Sequence, residues 1–399
     1  MNMMPSQSAA PRGSEPFLQS ISELKDLIVA SAEEMETIRR LPEPVVSALL
    51  AKQFYRMLLP TDLKGVGLNL LDFMEVIESL AAIDASTAWC IGQTSGCSLI
   101  AAYLPEQGAK DIFVDDPRGV LAWGPGPGIR ATIVRGGYRV TGEVTFLSGG
   151  LDASWIGCIC PIFNEEGAPL RDDQGSPITR HMLFRATEGQ FNDVWHVMGL
   201  KGTGSNAFRV TDVFVPQHHS ASRDNQADRR NSSPNYSFPV VSMFAASFSC
   251  IALGVARAML TDLIELARTK TPRGLPHPMA ASPAVQSKIA RCEARLASAR
   301  QYLFATVGEA WRNAGPDSLI DLDRRVKIRL AASHAMAQAT SVVDEVYHAA
   351  GATSVFASNG FERKFRDMHA ITQQVQAREA HFETVGSYLL GGHFDTAFL

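Results

Sequence analysis

The hydrophobic period changes twice along this chain of 399 residues, and that double change constrains the fold more than any other feature. Over residues 17–113 apolar side chains recur every three or four positions, as in Leu24, Leu27 and Ile28, and again over 42–54 and 70–83. That spacing puts one stripe on one face of a helix. Asp84-Ala85-Ser86-Thr87 supplies an N-cap before the apolar run 88–103, while Pro60 and the Gly65/Gly67 pair break the region into helices joined by a loop. From Gly119 to Pro216 the pattern becomes short runs with glycine punctuation. Thr132–Val134, a turn at Gly136-Gly137 and Tyr138–Val140 form a strand, turn and strand; 144–146, 155–163, 181–185 and 208–215 continue the series. Such a series predicts a small barrel or sandwich. After a polar stretch over 217–239 the helical period returns in four long segments, 240–270, 283–314, 319–350 and 362–390, separated by Pro272/Pro276/Pro278, Gly315-Pro316 and Gly351. Four long helices with short breaks predict a bundle.

Composition matters where it removes alternatives. The formal net charge is −4 and no basic block exceeds Arg229-Arg230, which argues against a nucleic-acid or membrane-surface partner. The six cysteines are scattered among apolar neighbours without a CxxC pair, so reduced, buried thiols are expected and no metal site is. Residues 1–15 are rich in Ser, Pro and Ala without an apolar core, and read as a disordered tail and not a signal peptide. Residues 240–259 contain one charge, Arg257, yet are built of Ala, Ser, Gly and Phe with no basic flank. A helix apolar all round is what the centre of a large bundle requires, and that reading is preferred to a membrane span. A cytoplasmic location follows as the expectation.

Helices, then a small β-domain, then a four-helix bundle: this order resembles the acyl-CoA dehydrogenase superfamily, and four stretches carry the likeness. They are "PTDLKGVG" at 60–67, "GYRVTGEVTFLSG" at 137–149, "GLKGTGSNAFRVTDVFVP" at 199–216 and "FRDMHAITQQ" at 365–374, which holds the Arg366-Asp367 pair. The resemblance implies an α+β, mostly α fold: a tail over 1–15, an N-terminal helical domain over 16–118, a central β-barrel domain over 119–235 and a C-terminal four-helix bundle over 236–399. Within the superfamily the chain looks most like the flavin-dependent monooxygenase branch. "FLSG" at 146–149 and "GTGS" at 202–205 match that branch, and residues 372–376 offer no carboxylate where common dehydrogenases carry their base. Proton abstraction next to a thioester carbonyl requires a positioned base, and glutamine cannot serve. Glu379 and Glu383 lie further along the same segment, so a dehydrogenase or related FAD-dependent oxidase stays as the alternative.

The resemblance also implies a site. Reduced flavin (FMNH2 or FADH2) and O2 generate a C4a-hydroperoxide that inserts one oxygen atom into a phenol- or indole-like aromatic substrate. The protein has to orient the ring and keep water out. Ser148 is expected to meet the ring at N5, or else to cap a turn. Phe146, Gly149 and the turn Gly202, Thr203, Gly204, Ser205 are expected to line the cofactor, the turn by backbone amides unless it is a plain β-turn. Trp123 is a stacking or a core residue. Trp89, Phe244 and Phe248 line a substrate pocket or belong to the core. Many branch members carry a histidine at the position of Gln374; either Gln374 donates a hydrogen bond in its place, or His369 or His381 serves from another turn. Arg366 is a candidate to lie beside the cofactor, although an ion pair with Asp367 fixing the last helix is the stronger reading; Arg363 and Lys364 either meet a cofactor phosphate from a neighbouring subunit or are solvated. No GxGxxG opens a helix after a strand, so a separate NAD(P)H:flavin reductase is expected to supply reduced flavin, and the family implies a homotetramer. A non-catalytic scaffold of the same fold is the third possibility.

Overall fold

The computed structural model describes residues 13–223, 226–315 and 318–399. Six α-helices come first: α1 (Glu15–Ala30), α2 (Ala32–Ile38), α3 (Glu43–Ala51), α4 (Leu70–Ala81), α5 (Ala85–Ser98) and α6 (Glu106–Phe113). The cap expected before α5 forms, with the Asp84 carboxylate accepting the Thr87 N–H at 2.7 Å. The irregular tail ends earlier than expected. Ser14 is fully buried, its hydroxyl donates to Glu75 at 2.7 Å, and α1 begins at Glu15. The rest of that expectation, residues 1–12, lies outside the described residues.

The middle of the chain forms a curled sheet of eight strands: β1 (Leu121–Trp123), β2 (Arg130–Val134), β3 (Gly137–Val144), β4 (Trp155–Phe163), β5 (Thr179–Arg185), β6 (Gln190–Asn192), β7 (Ala207–Pro216) and β8 (Ser220–Ala221). Their order is β6-β7-β3-β2-β4-β5-β8, with β1 parallel to β4 off that path. The predicted glycine hairpin is β2–β3, where Ile133 faces Tyr138 and Gly136 takes φ 85°. The strand expected over 144–146 does not continue past Val144. Phe146 turns to φ 50° because the segment leaves the sheet to meet the turn at 203–206, through Leu147 N–H to Asn206 O at 3.2 Å and Gly149 N–H to Thr203 O at 3.0 Å.

The C-terminal part contains α7 (Val240–Thr269), α8 (Pro283–Arg312), α9 (Leu322–Ala350), α10 (Phe361–Ile371) and α11 (Ala380–Leu389). Helix α7 packs on α4, α5, α8 and α9, and 83% of its most apolar stretch is buried inside the protein. Its small residues permit this. At Gly254 a Cβ would stand 2.2 Å from the carbonyl oxygen of Glu78 on α4, so only glycine allows the two backbones to touch. One continuous core runs from Phe17 to Ile371 and holds side chains from all three regions.

The fourth segment, expected as one helix over 362–390, is two. Gln374 adopts an extended conformation, and its side-chain oxygen accepts the Gln376 N–H at 2.7 Å, a local bond that competes with helical pairing. A single turn over Val375–Ala377 follows, and the His381 ring donates Nε2–H to the carbonyl of Val375 at 2.7 Å, tying α11 back across the break.

Candidate active site

The centre of the site is a line of short hydrogen bonds joining α5, the 146–149 loop and the 199–206 turn. Trp89, on the buried side of α5, donates its indole N–H to the Ser148 hydroxyl at 3.0 Å. The Ser148 and Ser205 hydroxyl oxygens are 2.7 Å apart, those of Ser205 and Thr203 are 2.7 Å apart, and Thr203 donates to the carbonyl of Leu200 at 2.9 Å. Ser148, Thr203 and Ser205 are each at most 5% exposed, so water does not compete for these bonds. Both turn ends are glycines in the left-handed region that favours them, Gly149 at φ 70° and Gly204 at 53°. Gly199 lies so close to α10 that a Cβ would stand 2.2 Å from the carbonyl oxygen of Arg366. The glycines let the hydroxyl-bearing turns press together.

Trp89 also ends an aromatic ladder. Its ring lies 4.3 Å from Phe248, and Phe248 lies 5.3 Å from Phe244, each pair within 7° of parallel. All three rings are buried. Both open readings of these residues therefore hold in part, since the rings pack in the core while one carries a polar contact to Ser148. Trp123, half-buried, packs 5.0 Å from the His181 ring, with the Arg223 guanidinium 5.8 Å over its face. Burial drives the His181 pKa down to about 3, so this ring is neutral. Phe146 is 64% exposed at its left-handed φ, edge-on to Trp195 at 6.2 Å; a bulky residue held there is strained.

The turn is anchored from α10. The Leu200 N–H donates to Asp367 Oδ1 at 2.6 Å, and Leu200 itself takes φ 53°. Asp367 is 3% exposed, and burial pushes its carboxyl up to about 7 despite Arg363 at 3.9 Å and the Leu200 amide, both of which favour the charged form. Arg363, expected to be solvated or to bind phosphate, is instead largely covered and pairs with Asp84 at 2.5 Å; Lys364 pairs with Asp262 at 2.7 Å. Arg366 does not pair with Asp367. It binds Glu362 at 2.6 Å and Glu36 at 3.1 Å and donates to the Met198 carbonyl. Nearby, the Asp152 carboxyl is pushed up to about 6 by burial, with Arg40 at 3.1 Å opposing the shift.

The structure therefore gathers Trp89, Ser148, Gly149, Thr203, Gly204, Ser205 and, through the ladder, Phe244 and Phe248. Gly202 packs behind the turn, where a Cβ would stand 2.9 Å from Ser86. His369 stands apart, its Nε2 3.0 Å from Asp344 on α9, and His381 is occupied by Val375. Gln374 has its oxygen engaged by Gln376 N–H, while its buried amide nitrogen, a donor, has no partner among the described residues. Glu379 and Glu383 are exposed. Sequence pattern misses Leu200 and the Trp89 indole N–H as parts of this centre, and it gives Arg363 to a phosphate or to solvent where the structure pairs it with Asp84. Nothing in the local sequence signals them, since each acts through a partner 59 to 279 positions away.

The acyl-CoA dehydrogenase, C-terminal domain family matches residues 246–379. Indole-3-acetate monooxygenase of Pseudomonas putida is 26% identical over 359 residues, covering 90% of this chain and 89% of its own. The flavin-dependent monooxygenase oxygenase subunit HsaA of Mycobacterium tuberculosis is 27% identical over 91% of this chain and 92% of its own; a crystal structure of the HsaA monooxygenase superposes with a TM-score of 0.87 at 26% identity, covering 97% of this chain and 100% of that one. This chain is thus similar along nine-tenths of its length to flavin-dependent monooxygenases, and its C-terminal helices match the acyl-CoA dehydrogenase C-terminal domain family. The FADH(2)-dependent resorcinol hydroxylase oxygenase component of a Rhizobium is 24% identical over 98% of each chain. The residues at hand suit a planar redox ring. The Ser148 oxygen is fixed in a dry turn with one hydrogen-bonding position to spare, glycines keep the adjoining backbone bare, and an apolar ladder lies behind it.

Proposed function

We propose that this chain is the oxygenase component of a two-component monooxygenase. It takes reduced flavin, as FMNH2 or FADH2, from a separate NAD(P)H:flavin reductase and inserts one atom of O2 into a phenol- or indole-like aromatic small molecule. The observation that carries this reading is the Ser148 hydroxyl held between Trp89 and Ser205 at the end of an aromatic ladder. When bound, the reduced flavin supplies the oxygen activation. Ser148 holds the ring edge, and the bare backbone of 149 and 202–205 permits its close approach. Trp89, Phe244 and Phe248 provide the apolar wall against which an aromatic substrate is dry. Gln374 supplies an N–H donor and, lacking a titratable proton, cannot act as a base. His369 and Arg366 act in this reading as structural residues of α10. A homotetramer in the cytoplasm is the assembly and location we assign. The dehydrogenase alternative is disfavoured by Gln374 and by the exposure of Glu379 and Glu383.

Spectroscopy with a coupled assay tests this. The purified protein should be largely colourless, and with a flavin reductase, NAD(P)H and O2 it should convert members of a panel of phenols, indoles and fused heterocycles to monohydroxylated products. Tightly held yellow flavin that bleaches on addition of an acyl-CoA would refute it.

A further inference from the structure

We propose that Ser205 and Thr203 are positioning residues that fix the direction of the Ser148 hydroxyl, through a chain of hydrogen bonds that pairs every hydroxyl proton in one direction only. The direction follows from counting protons. The Leu200 carbonyl can only accept; it takes the Trp195 Nε1–H and the Thr203 N–H at 3.1 Å each and the Thr203 hydroxyl at 2.9 Å, and only with the Thr203 proton placed there do all three hydroxyl protons of the chain find partners. Thr203 must then accept from Ser205, 2.7 Å away, which spends the Ser205 proton. Ser205 in turn must accept from Ser148, also at 2.7 Å, which spends the Ser148 proton. The indole N–H of Trp89, which can only donate, fills one lone pair of Ser148 at 3.0 Å. What Ser148 has left for a ligand is one lone pair and no proton. The chain is held at its far end as well, since the Leu200 peptide that receives it is fixed by its own N–H on Asp367 at 2.6 Å.

Such an oxygen accepts from an N–H and repels a bare nitrogen lone pair. A reduced isoalloxazine carries hydrogen at N5; an oxidised one presents a lone pair there. Binding the oxidised ring would require the Ser148 proton to turn outward and Ser205 to turn back, with the loss of one hydrogen bond from the chain. This inference rests on the reading that the ring lies against Ser148, and it assigns the preference for the reduced form to two residues behind that serine.

The test is anaerobic titration of the native protein and its variants with oxidised and with dithionite-reduced FMN, reading the ratio of the two dissociation constants. Ser205→Ala frees the Ser148 proton to meet the oxidised ring and leaves it unpaired beside the reduced one. The ratio should fall about fivefold to tenfold, the value of one hydrogen bond. Thr203→Val removes the acceptor that draws the chain in its direction and should lower the ratio similarly, while Thr203→Ser keeps the hydroxyl and should preserve it. Near-UV circular dichroism identifies any variant that has lost its packing, and the remaining variants then decide. A ratio unchanged in both Ser205→Ala and Thr203→Val, with flavin still bound, overturns the relay alone. Failure of the native protein to bind either form overturns the relay together with the proposed function.

Discussion

Replacing Asp367 by asparagine should change how stability depends on pH. The carboxyl is 3% exposed, accepts the Leu200 N–H at 2.6 Å and has Arg363 at 3.9 Å, yet burial outweighs both and lifts its pKa from 3.8 to about 7. A folded-state value above the unfolded one means that the native protein holds this proton more tightly. The contribution is complete below the ordinary carboxylate range and is lost as pH climbs from about 4 through 7. A rise of that size corresponds to about 4 kcal/mol over the whole window, and to roughly 3 kcal/mol between pH 5 and 8. Asparagine cannot ionise but still offers Leu200 an oxygen. Its amide facing Arg363 costs a fixed amount that does not vary with pH. The melting temperature of the variant should therefore gain on that of the native protein by roughly 3 °C between pH 5 and 8, at ~1 °C per kcal/mol for a chain of this length. Thermal melts in buffers of equal ionic strength would show it. A gap between the two proteins that stays flat across that range would refute a protonated Asp367.

Three further outcomes are expected. Trp89→Phe keeps the stack on Phe248 and deletes the N–H to Ser148, so binding of reduced flavin should weaken about fivefold by titration with little change in melting temperature. Gly96→Ala places a Cβ 2.3 Å from the Phe244 ring, which must leave its stack on Phe248; steady-state kinetics should show KM for the aromatic substrate raised several-fold, with flavin affinity largely kept. Gly199→Ala sets a Cβ 2.2 Å from the Arg366 carbonyl and should cost about 2–4 kcal/mol in denaturant unfolding, because neither backbone can yield alone.

Much of the fold was legible because its signals are local. The Asp84 cap, the hairpin around Gly136 and the strand Trp155–Phe163 depend on neighbours within a few positions, and each forms where the pattern places it. The departures have long-range causes. Val144 ends β3 because the following segment is drawn to residues 203–206, and the last segment breaks where the Gln374 side chain, held by Gln376, displaces helical pairing. The site was legible as a set of residue types and not as a circuit. Ser148, Thr203 and Ser205 stood out beside glycines, whereas the role of Trp89 depends on which of its edges faces Ser148, and that of Asp367 on a peptide 167 residues away.

Helix α7 carries a consequence for how the chain is made. Its apolar circumference is shared between α4 and α5, synthesised well over a hundred residues before it, and α8 and α9, which follow it. As the polypeptide leaves the ribosome, the first helices present a greasy face whose mate does not yet exist, and α7 then emerges with two of its own partners unborn. A truncation after residue 235 leaves that face permanently bare, and one that starts at 236 leaves α7 half clothed. Neither fragment should stay dispersed alone; mixed during refolding, the two should rescue each other.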